Sequence, residues 1–268
     1  MTVQTKQTIG QTSIAKVEAD RITIRGKDLC SELIGKASFT WYFLYLVTGK
    51  EPSRNLVALT DASLVAIAEH GFVPSVQAAR MTYAAAPDAI QGAVAAGLLG
   101  CGTVILGASE TAGHLLKQVI DQAKAQESSI DEAASEILRN LRASKLSVPG
   151  FGHPIHRNED PRATQLLRFA SEIEASADYV RALKALERNM AESFGKFLPL
   201  NVSAAIPAVL LDAGFPLEAL RGVPLVARTG SLVAHLIEEK KTPLGFKMAA
   251  SVDSMVEYIE TAEERQGA

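Results

Sequence analysis

The sequence has little cysteine, little net charge and no apolar leader, and each shortage excludes a class of protein. Its 268 residues include only two cysteines, Cys30 and Cys101, too few for a disulfide framework or a four-thiolate zinc site. The formal net charge is −3 with acidic and basic residues mixed, which argues against a nucleic-acid binder. Residues 1–20 are polar and lack a signal-peptide core, so we expect a cytoplasmic protein.

Apolar residues, in contrast, make up 47% of the chain and charged residues 21%, which excludes a disordered protein. The length indicates one large domain or two intimately joined domains. Residues 89–109 carry no charge over about twenty residues, roughly the length that spans a membrane. Because this stretch is rich in alanine and glycine, which insert weakly, we expect no membrane span. It predicts a helix buried on all sides, followed by a glycine-rich break.

The secondary structure predicted from the remaining pattern is almost entirely helical, because alanine and leucine are abundant. Residues 16–26 are the exception, since their alternation of apolar and polar residues predicts one or two short strands. Helix starts are predicted at Ser38, at Pro52 with Ser53, at Pro74, at Pro87, and at the capping box of Ser129 and Glu132. Further helices are predicted over residues 108–125, 161–190 with a break near 176, 204–213 and 223–240.

The densest group of chemically useful residues lies in 149–162, with the sequence PGFGHPIHRNEDPR. Glycines allow close approach of a ligand, and Arg157 and Arg162 offer planar forks that bind carboxylate or phosphate. His153 and His156 can form hydrogen bonds or exchange protons near neutral pH. The pattern is typical of a site for a small anionic ligand, although a solvated loop is the alternative. A metal site is not expected, because no third ligand accompanies the two histidines.

His70 and Arg228 are the other candidates. His70 ends a helix, where the helix dipole alone would favour it. Arg228 begins an apolar helix and needs an anionic partner there, either a ligand or a structural salt bridge. His235, on the same helix, is interpreted as structural. The sequence contains no phosphate-binding loop, no nucleophile elbow and no HExxH motif.

In combination, five segments resemble the citrate synthase superfamily. GFGHPIHRNEDPRA resembles its glycine–histidine loop, and AEHGFVPSVQAARMTYAAAP resembles its DH helix break. The other three are TIRGKDLCSELIGKASFTWYFLYLVTGKEPS, LPLNVSAAIPAVLLDAGFP and ARTGSLVAHLIEEK. The short length is most similar to the stand-alone citryl-CoA lyase branch, itself similar to the C-terminal module of ATP-citrate lyase.

The resemblance implies a nearly all-α fold with a large domain (1–111 and 209–268) and a smaller inserted domain (112–208). It also implies a homodimer, a coenzyme A ester and a di- or tricarboxylate as small-molecule partners, and no metal, nucleic acid or membrane. His153 and His70 would bind the oxaloacetate or citryl part, and Arg162 and Arg228 its carboxylates. Coenzyme A would contact Arg157 and the loop of Gly150, Phe151 and Gly152. Lys247 is the basic residue nearest to the position of an arginine that relatives take from the partner subunit.

Two departures from the superfamily pattern affect the expected activity. Ile105 stands roughly where synthases carry a histidine that polarises the thioester enolate, and lyase relatives also lack that histidine. Ser203 replaces the acid–base aspartate of both branches, and a serine needs an activating neighbour to act as a base. The expected function is therefore retro-Claisen cleavage of citryl-CoA or a related ester. The alternatives are condensation of the citrate or methylcitrate synthase type and a non-catalytic acyl-CoA or dicarboxylate sensor.

Overall fold

The alternating segment near the start of the chain forms a small antiparallel sheet. The structure, a computed structural model, describes residues 9–152 and 157–259. The sheet comprises β1 (Ala15–Val17), β2 (Ile22–Ile24) and β3 (Lys27–Asp28), in that order. Lys16 lies opposite Thr23, and Ile24 lies opposite Lys27. The predicted short strands are confirmed, with β3 in addition.

The rest of the described chain is mostly helical, which confirms the predicted fold class. Five-residue π-helical turns cover Leu29–Leu33 and Met190–Phe194. The α-helices are α1 (Phe39–Thr48), α2 (Arg54–Ala68), α3 (Pro74–Ala85), α4 (Ile90–Leu99), α5 (Ala108–Ala125), α6 (Ile130–Ala143), α7 (Pro161–Glu172), α8 (Asp178–Asn189), α9 (Val202–Asp212), α10 (Gly222–Lys241) and α11 (Gly245–Asp253). Helix α11 had no counterpart among the predicted elements.

Local capping residues begin several helices where the sequence predicts. The Ser38 hydroxyl accepts a hydrogen bond from the N–H of Trp41, and the Ser53 hydroxyl accepts one from that of Leu56. Both partners of the Ser129–Glu132 capping box are in place at α6. These starts need no distant contact, which is why a local pattern predicts them.

One predicted helix boundary is wrong, and another is confirmed but depends on a distant contact. Pro87 does not begin a helix, since α4 starts at Ile90. The region 161–190 forms two helices with a break over 173–177, which confirms the predicted break near 176. The carboxylate of Asp212, at the end of α9, accepts hydrogen bonds from the backbone N–H groups of Ala177, Tyr179 and Val180. This distant side chain therefore begins α8 as a separate helix.

The predicted burial of the 89–109 helix on all sides is wrong. Only one face of α4 is buried, at Ala93 and Gly97, whereas Leu99 is 86% exposed. Gly97 lets α4 approach α3 and α10 closely, because a Cβ atom there would lie 2.8 Å from both the Ser75 carbonyl oxygen and a methyl carbon of Leu232. Across the residues the structure describes, no helix is long and apolar enough to cross a membrane.

The main hydrophobic core surrounds α9, whose residues from Ala204 to Leu210 are all buried. Helices α2, α5, α7 and α8 pack against it. A second, smaller core lies between α3, α4 and α10 and contains Val76, Ala79, Tyr83, Ala93, Leu232 and Leu236. Helix α2 packs against both α9 and α10, so it connects the two parts of the molecule that carry the candidate site residues.

Candidate active site

His70 lies in a tight turn at the end of α2. The helix stops at Ala68, Glu69 adopts an extended conformation, and Gly71 has a φ of +72°. The Glu69 carboxylate folds over this turn, and its Oε1 accepts hydrogen bonds from the N–H groups of His70 (2.9 Å) and Gly71 (2.5 Å). The His70 side chain, half-buried, is therefore carried on a turn with a fixed backbone.

The same carboxylate attaches the turn to α10. Its Oε2 accepts hydrogen bonds from Ser231 Oγ at 2.5 Å and from His235 Nε2 at 3.0 Å. Partial burial raises the pKa of Glu69, but the hydrogen bonds from Ser231 and Gly71 and the proximity of His235 outweigh it, so the pKa lies below its usual value. Glu69 therefore stays ionised at neutral pH.

Arg228 lies on α10 one turn before Ser231, on the same face of the helix. Its side chain is only 7% exposed, and within the described residues neither its Nε nor its Nη1 has a hydrogen-bond partner. The structural salt bridge considered from the sequence is not found among these residues. A buried guanidinium without a counter-charge is costly, and it is a ready binding group for a carboxylate.

The glycine-rich loop is held against the start of α9. Gly150 has a φ of +80°, and a Cβ atom there would lie 2.2 Å from the Cβ of Ala204, so a larger residue cannot fit. Asn201 donates its backbone N–H to the Gly150 carbonyl (3.0 Å) and its side-chain amide to the Gly152 carbonyl (2.7 Å). Phe151 is buried between these glycines. His153 and His156, which follow this loop, lie outside the described residues.

A buried carboxylate, Asp160, joins Arg162 to the start of α9. It is 1% exposed and binds the guanidinium of Arg162 with both oxygens, at 3.0 and 2.9 Å. Its Oδ2 also accepts a hydrogen bond from the N–H of Val202 at 2.9 Å. Burial raises the pKa of Asp160, but the hydrogen bonds from Arg162 and Val202 lower it further, to below its usual value. Arg162 is thereby oriented by bonds at its Nε and Nη2 atoms.

Ser203 occupies the second position of α9, next to the loop and Asp160. Its N–H donates to the Asn201 side chain at 2.9 Å, and its side chain is half-buried. No described residue forms a hydrogen bond with its hydroxyl, so the activating neighbour that a serine base needs is not among them. The position is close to a helix N-terminus, where negative charge is favoured.

The remaining predicted residues lie on the surface. Arg157, in the 157–160 segment, and Lys247, on α11, are exposed. Ile105, in the segment between α4 and α5, is 37% exposed. In residues 9–152 and 157–259, no cluster of histidine, cysteine, aspartate or glutamate could hold a metal ion.

Arg162 lines a mainly apolar cavity of about 730 Å³ between α2 and α7. Hydrogen bonds connect the predicted residues in two groups. The first contains the loop, Arg162 and Ser203. The second contains the His70 turn and the face of α10 that carries Arg228. Helix α2 packs against α7, α9 and α10 and so adjoins both groups. Glu69 and Asp160 were not among the residues predicted from the sequence. Asp160 had a usable signal, because an aspartate before a proline is typical of a helix start, whereas nothing local marks Glu69.

Comparison with known proteins shows the family to which the chain belongs. Residues 4–245 match the family model described as citrate synthase, C-terminal domain, so the chain belongs to the citrate synthase family. The citrate synthase of Haloferax volcanii is 28% identical over 201 residues, which are 74% of this chain and 50% of that protein. The chain thus spans about half the length of the curated relatives it matches.

Among solved structures, the citryl-CoA lyase of Hydrogenobacter thermophilus superposes with a TM-score of 0.84 at 27% identity, covering 95% of this chain and 96% of that one. ATP citrate lyase of Methanothrix soehngenii superposes with a TM-score of 0.79 over 97% of this chain and 43% of that one. Its 21% identity shows a shared fold alone. The expected resemblance to the superfamily and its lyase branch is confirmed.

Proposed function

We propose that this protein is a carbon–carbon lyase that cleaves citryl-CoA, or a related 3-hydroxy-3-carboxyacyl-CoA, to a shorter acyl-CoA and a 2-oxo acid. The observation that carries the proposal is Arg228, a buried cation whose Nε and Nη1 have no partner among the described residues. It lies on the helix face to which the His70 turn is attached. The near full-length superposition on a citryl-CoA lyase supports cleavage over condensation.

In the proposed reaction a base removes the proton of the 3-hydroxyl group. The bond between C3 and the thioester α-carbon breaks, its electron pair forms the thioester enolate, and the hydroxyl oxygen becomes the carbonyl of the 2-oxo acid. A proton then adds to the enolate carbon. Arg162 and Arg228 would hold the carboxylates, while His153 and His70 would hydrogen-bond the oxygen whose charge changes. Water held by Ser203, or His70, is the candidate proton donor.

Coenzyme A would bind at Arg157 and the loop of Gly150, Phe151 and Gly152, with no metal required. Asn201 holds the carbonyls of Gly150 and Gly152, so the loop would present a fixed backbone surface to the ligand. We further propose a homodimer built from large domains (1–111 and 209–268) with smaller inserted domains (112–208). Exposed apolar side chains on α4 and after α11, such as Leu99 and Met255, support an interface between copies. A cytoplasmic location remains our prediction.

The direct test mixes purified protein with citryl-CoA and, separately, with citramalyl-CoA, and follows release of the 2-oxo acid. Cleavage of either ester is the expected result. Measurable binding of both esters without cleavage of either would overturn the lyase proposal and favour the non-catalytic sensor.

Condensation is the second candidate, because the curated relatives are named citrate synthase. Its test supplies oxaloacetate and acetyl-CoA and measures free thiol. A synthase hydrolyses the condensed thioester and releases coenzyme A, whereas a lyase working in reverse leaves the thioester intact. We expect no thiol release above the background measured without oxaloacetate. Steady thiol release would instead identify a synthase.

A further inference from the structure

We infer that Glu69 is a positioning residue for His70, one that fixes the turn carrying this histidine to the helix that carries Arg228. The inference rests on the proposed function and adds to it a residue that does not itself touch the substrate. The two oxygens of the Glu69 carboxylate bind different elements. Oε1 binds two backbone N–H groups of the turn, and Oε2 binds two side chains of α10.

The geometry connects two elements that are distant in sequence. Ser231 and His235 lie 162 and 166 residues after Glu69. Spaced as i, i+3 and i+7, Arg228, Ser231 and His235 lie along one face of α10. Any shift of the turn along that face would therefore break hydrogen bonds to Glu69. His70 and Arg228 then keep a constant relation, which is what two groups binding opposite ends of one small anion need.

A second contact, at Nδ1, orients the His235 ring. Its Nδ1 lies 3.5 Å from Nη1 of Arg80, a fully buried guanidinium bound to Glu238 and Glu239. A guanidinium only donates hydrogen bonds, so Nδ1 is the acceptor and the proton of the neutral ring lies on Nε2. His235 therefore donates from Nε2 to the Glu69 carboxylate, in the direction the contact requires.

An aromatic side chain of the turn packs on the same support. The Arg80 guanidinium lies 5.0 Å from the centroid of the Phe72 ring, and that ring meets His235 edge-on at 5.7 Å. Residues 69–72 are thus attached to α10 and α3 by the polar contacts of Glu69 and by the ring contacts of Phe72. Glu69 links the backbone N–H of His70 to side chains of α10 through the two oxygens of one carboxylate, so it is the residue to perturb.

Glu69→Gln is the informative substitution, because it keeps the length of the side chain. Its carbonyl oxygen can still accept from the turn, but its NH₂ group would then face the Nε2–H of His235, and two donors repel. Asp212→Asn is the matched control, since Asp212 also accepts backbone hydrogen bonds, at 2.7, 2.9 and 3.0 Å, away from the proposed site.

The experiment measures kcat and KM for citryl-CoA cleavage, together with thermal unfolding, for the wild type, both variants and Glu69→Gln with His235→Gln. We expect Glu69→Gln to lower kcat by about 10- to 100-fold with KM changed far less, because misplacement of a group acts on the transition state. Asp212→Asn should lower the melting temperature without lowering kcat. Adding His235→Gln should cause little further loss, since both residues act in one contact. Equal kcat in Glu69→Gln and Asp212→Asn would overturn the inference and leave the proposed function intact.

Hydrogen exchange separates this inference from the proposed function. If the wild type cleaves no ester, the proposed function fails, and exchange at the His70 and Gly71 amides then decides the role of Glu69. Faster exchange at these amides in Glu69→Gln, at an unchanged melting temperature, supports positioning of the turn. Unchanged exchange overturns it.

Discussion

Replacing Arg228 by methionine should make the folded protein more stable while weakening its binding of carboxylates. The side chain is 7% exposed, and its Nε and Nη1 have no partner among the described residues. Within the described residues, folding therefore removes these two nitrogens from water without a matching hydrogen bond. Methionine fills a similar apolar space along α10 and carries no charge to desolvate.

The magnitude follows from the cost of burying an ion. Replacing a buried ion pair by apolar residues of similar volume is often neutral or stabilising by about 1–4 kcal/mol, and an unpaired charge lacks even the attraction within the pair. For a chain near this length each kcal/mol shifts the melting temperature by about 2–4 °C. A hydrogen bond to a charged group contributes about 1.5–3 kcal/mol, so the dissociation constant for citrate should rise about 10- to 150-fold.

Urea unfolding and calorimetric titration with citrate test both halves of this prediction, and Arg80→Met is the matched control. Arg80 is fully buried too, but it is paired with Glu239 at 2.7 Å and with Glu238 at 2.8 Å. Its removal should cost about 3–5 kcal/mol, because the buried Glu239 would lose its partner. If Arg228→Met destabilised the protein as much as Arg80→Met does, Arg228 would be a structural residue and the reasoning would be refuted.

Three further substitutions test the loop and the start of α9, and Gly230→Ala in α10 is the control for the first of them. Gly150→Ala should lower the free energy of unfolding in urea by about 2–4 kcal/mol, since the added methyl meets α9 at a φ of +80°; Gly230→Ala, with open space around it in α10, should instead raise it by about 0.5–1 kcal/mol. Burial raises the pKa of Asp160, but the hydrogen bonds that it accepts from groups such as Arg162 lower it below its usual value of 3.8. The stability that the ionised carboxylate contributes is therefore complete above this value and is lost as the pH falls through the lower folded-state pKa. In Asp160→Asn the free energy of unfolding in urea, measured at a series of pH values, should therefore fall less steeply at acid pH. An unchanged dependence on pH would contradict this. Ser203→Asp should raise the rate of citryl-CoA cleavage by about tenfold or more, because it supplies a carboxylate acid–base group; an unchanged rate would show that serine is not limiting.

Much of the secondary structure was predictable from the sequence, because local hydrogen bonds decide where helices begin. Ser38, Ser53 and the Ser129–Glu132 pair cap the helices they were expected to cap. The break near 176 was predicted, but its cause was not, since the groups that begin α8 bind Asp212, more than thirty residues further along the chain. The prediction that α4 is buried on all sides is wrong, because an uncharged, glycine-rich pattern does not show how many faces of a helix pack against other elements.

The sequence by itself also determined the family and the candidate groups, since the glycine–histidine loop, Arg162, Arg228 and the change to Ser203 are all visible in it. Tertiary structure alone decided which of these groups are paired. Arg162 is held by Asp160, two residues before it, whereas Arg228 is buried without a counter-charge in the described structure. The role inferred for Glu69 depends on the fold, because folding brings α10 to the end of α2. The physical reason is that burial and pairing depend on contacts between distant residues, since even the local Asp160–Arg162 pair is held in place by the N–H of Val202, 42 residues further along the chain.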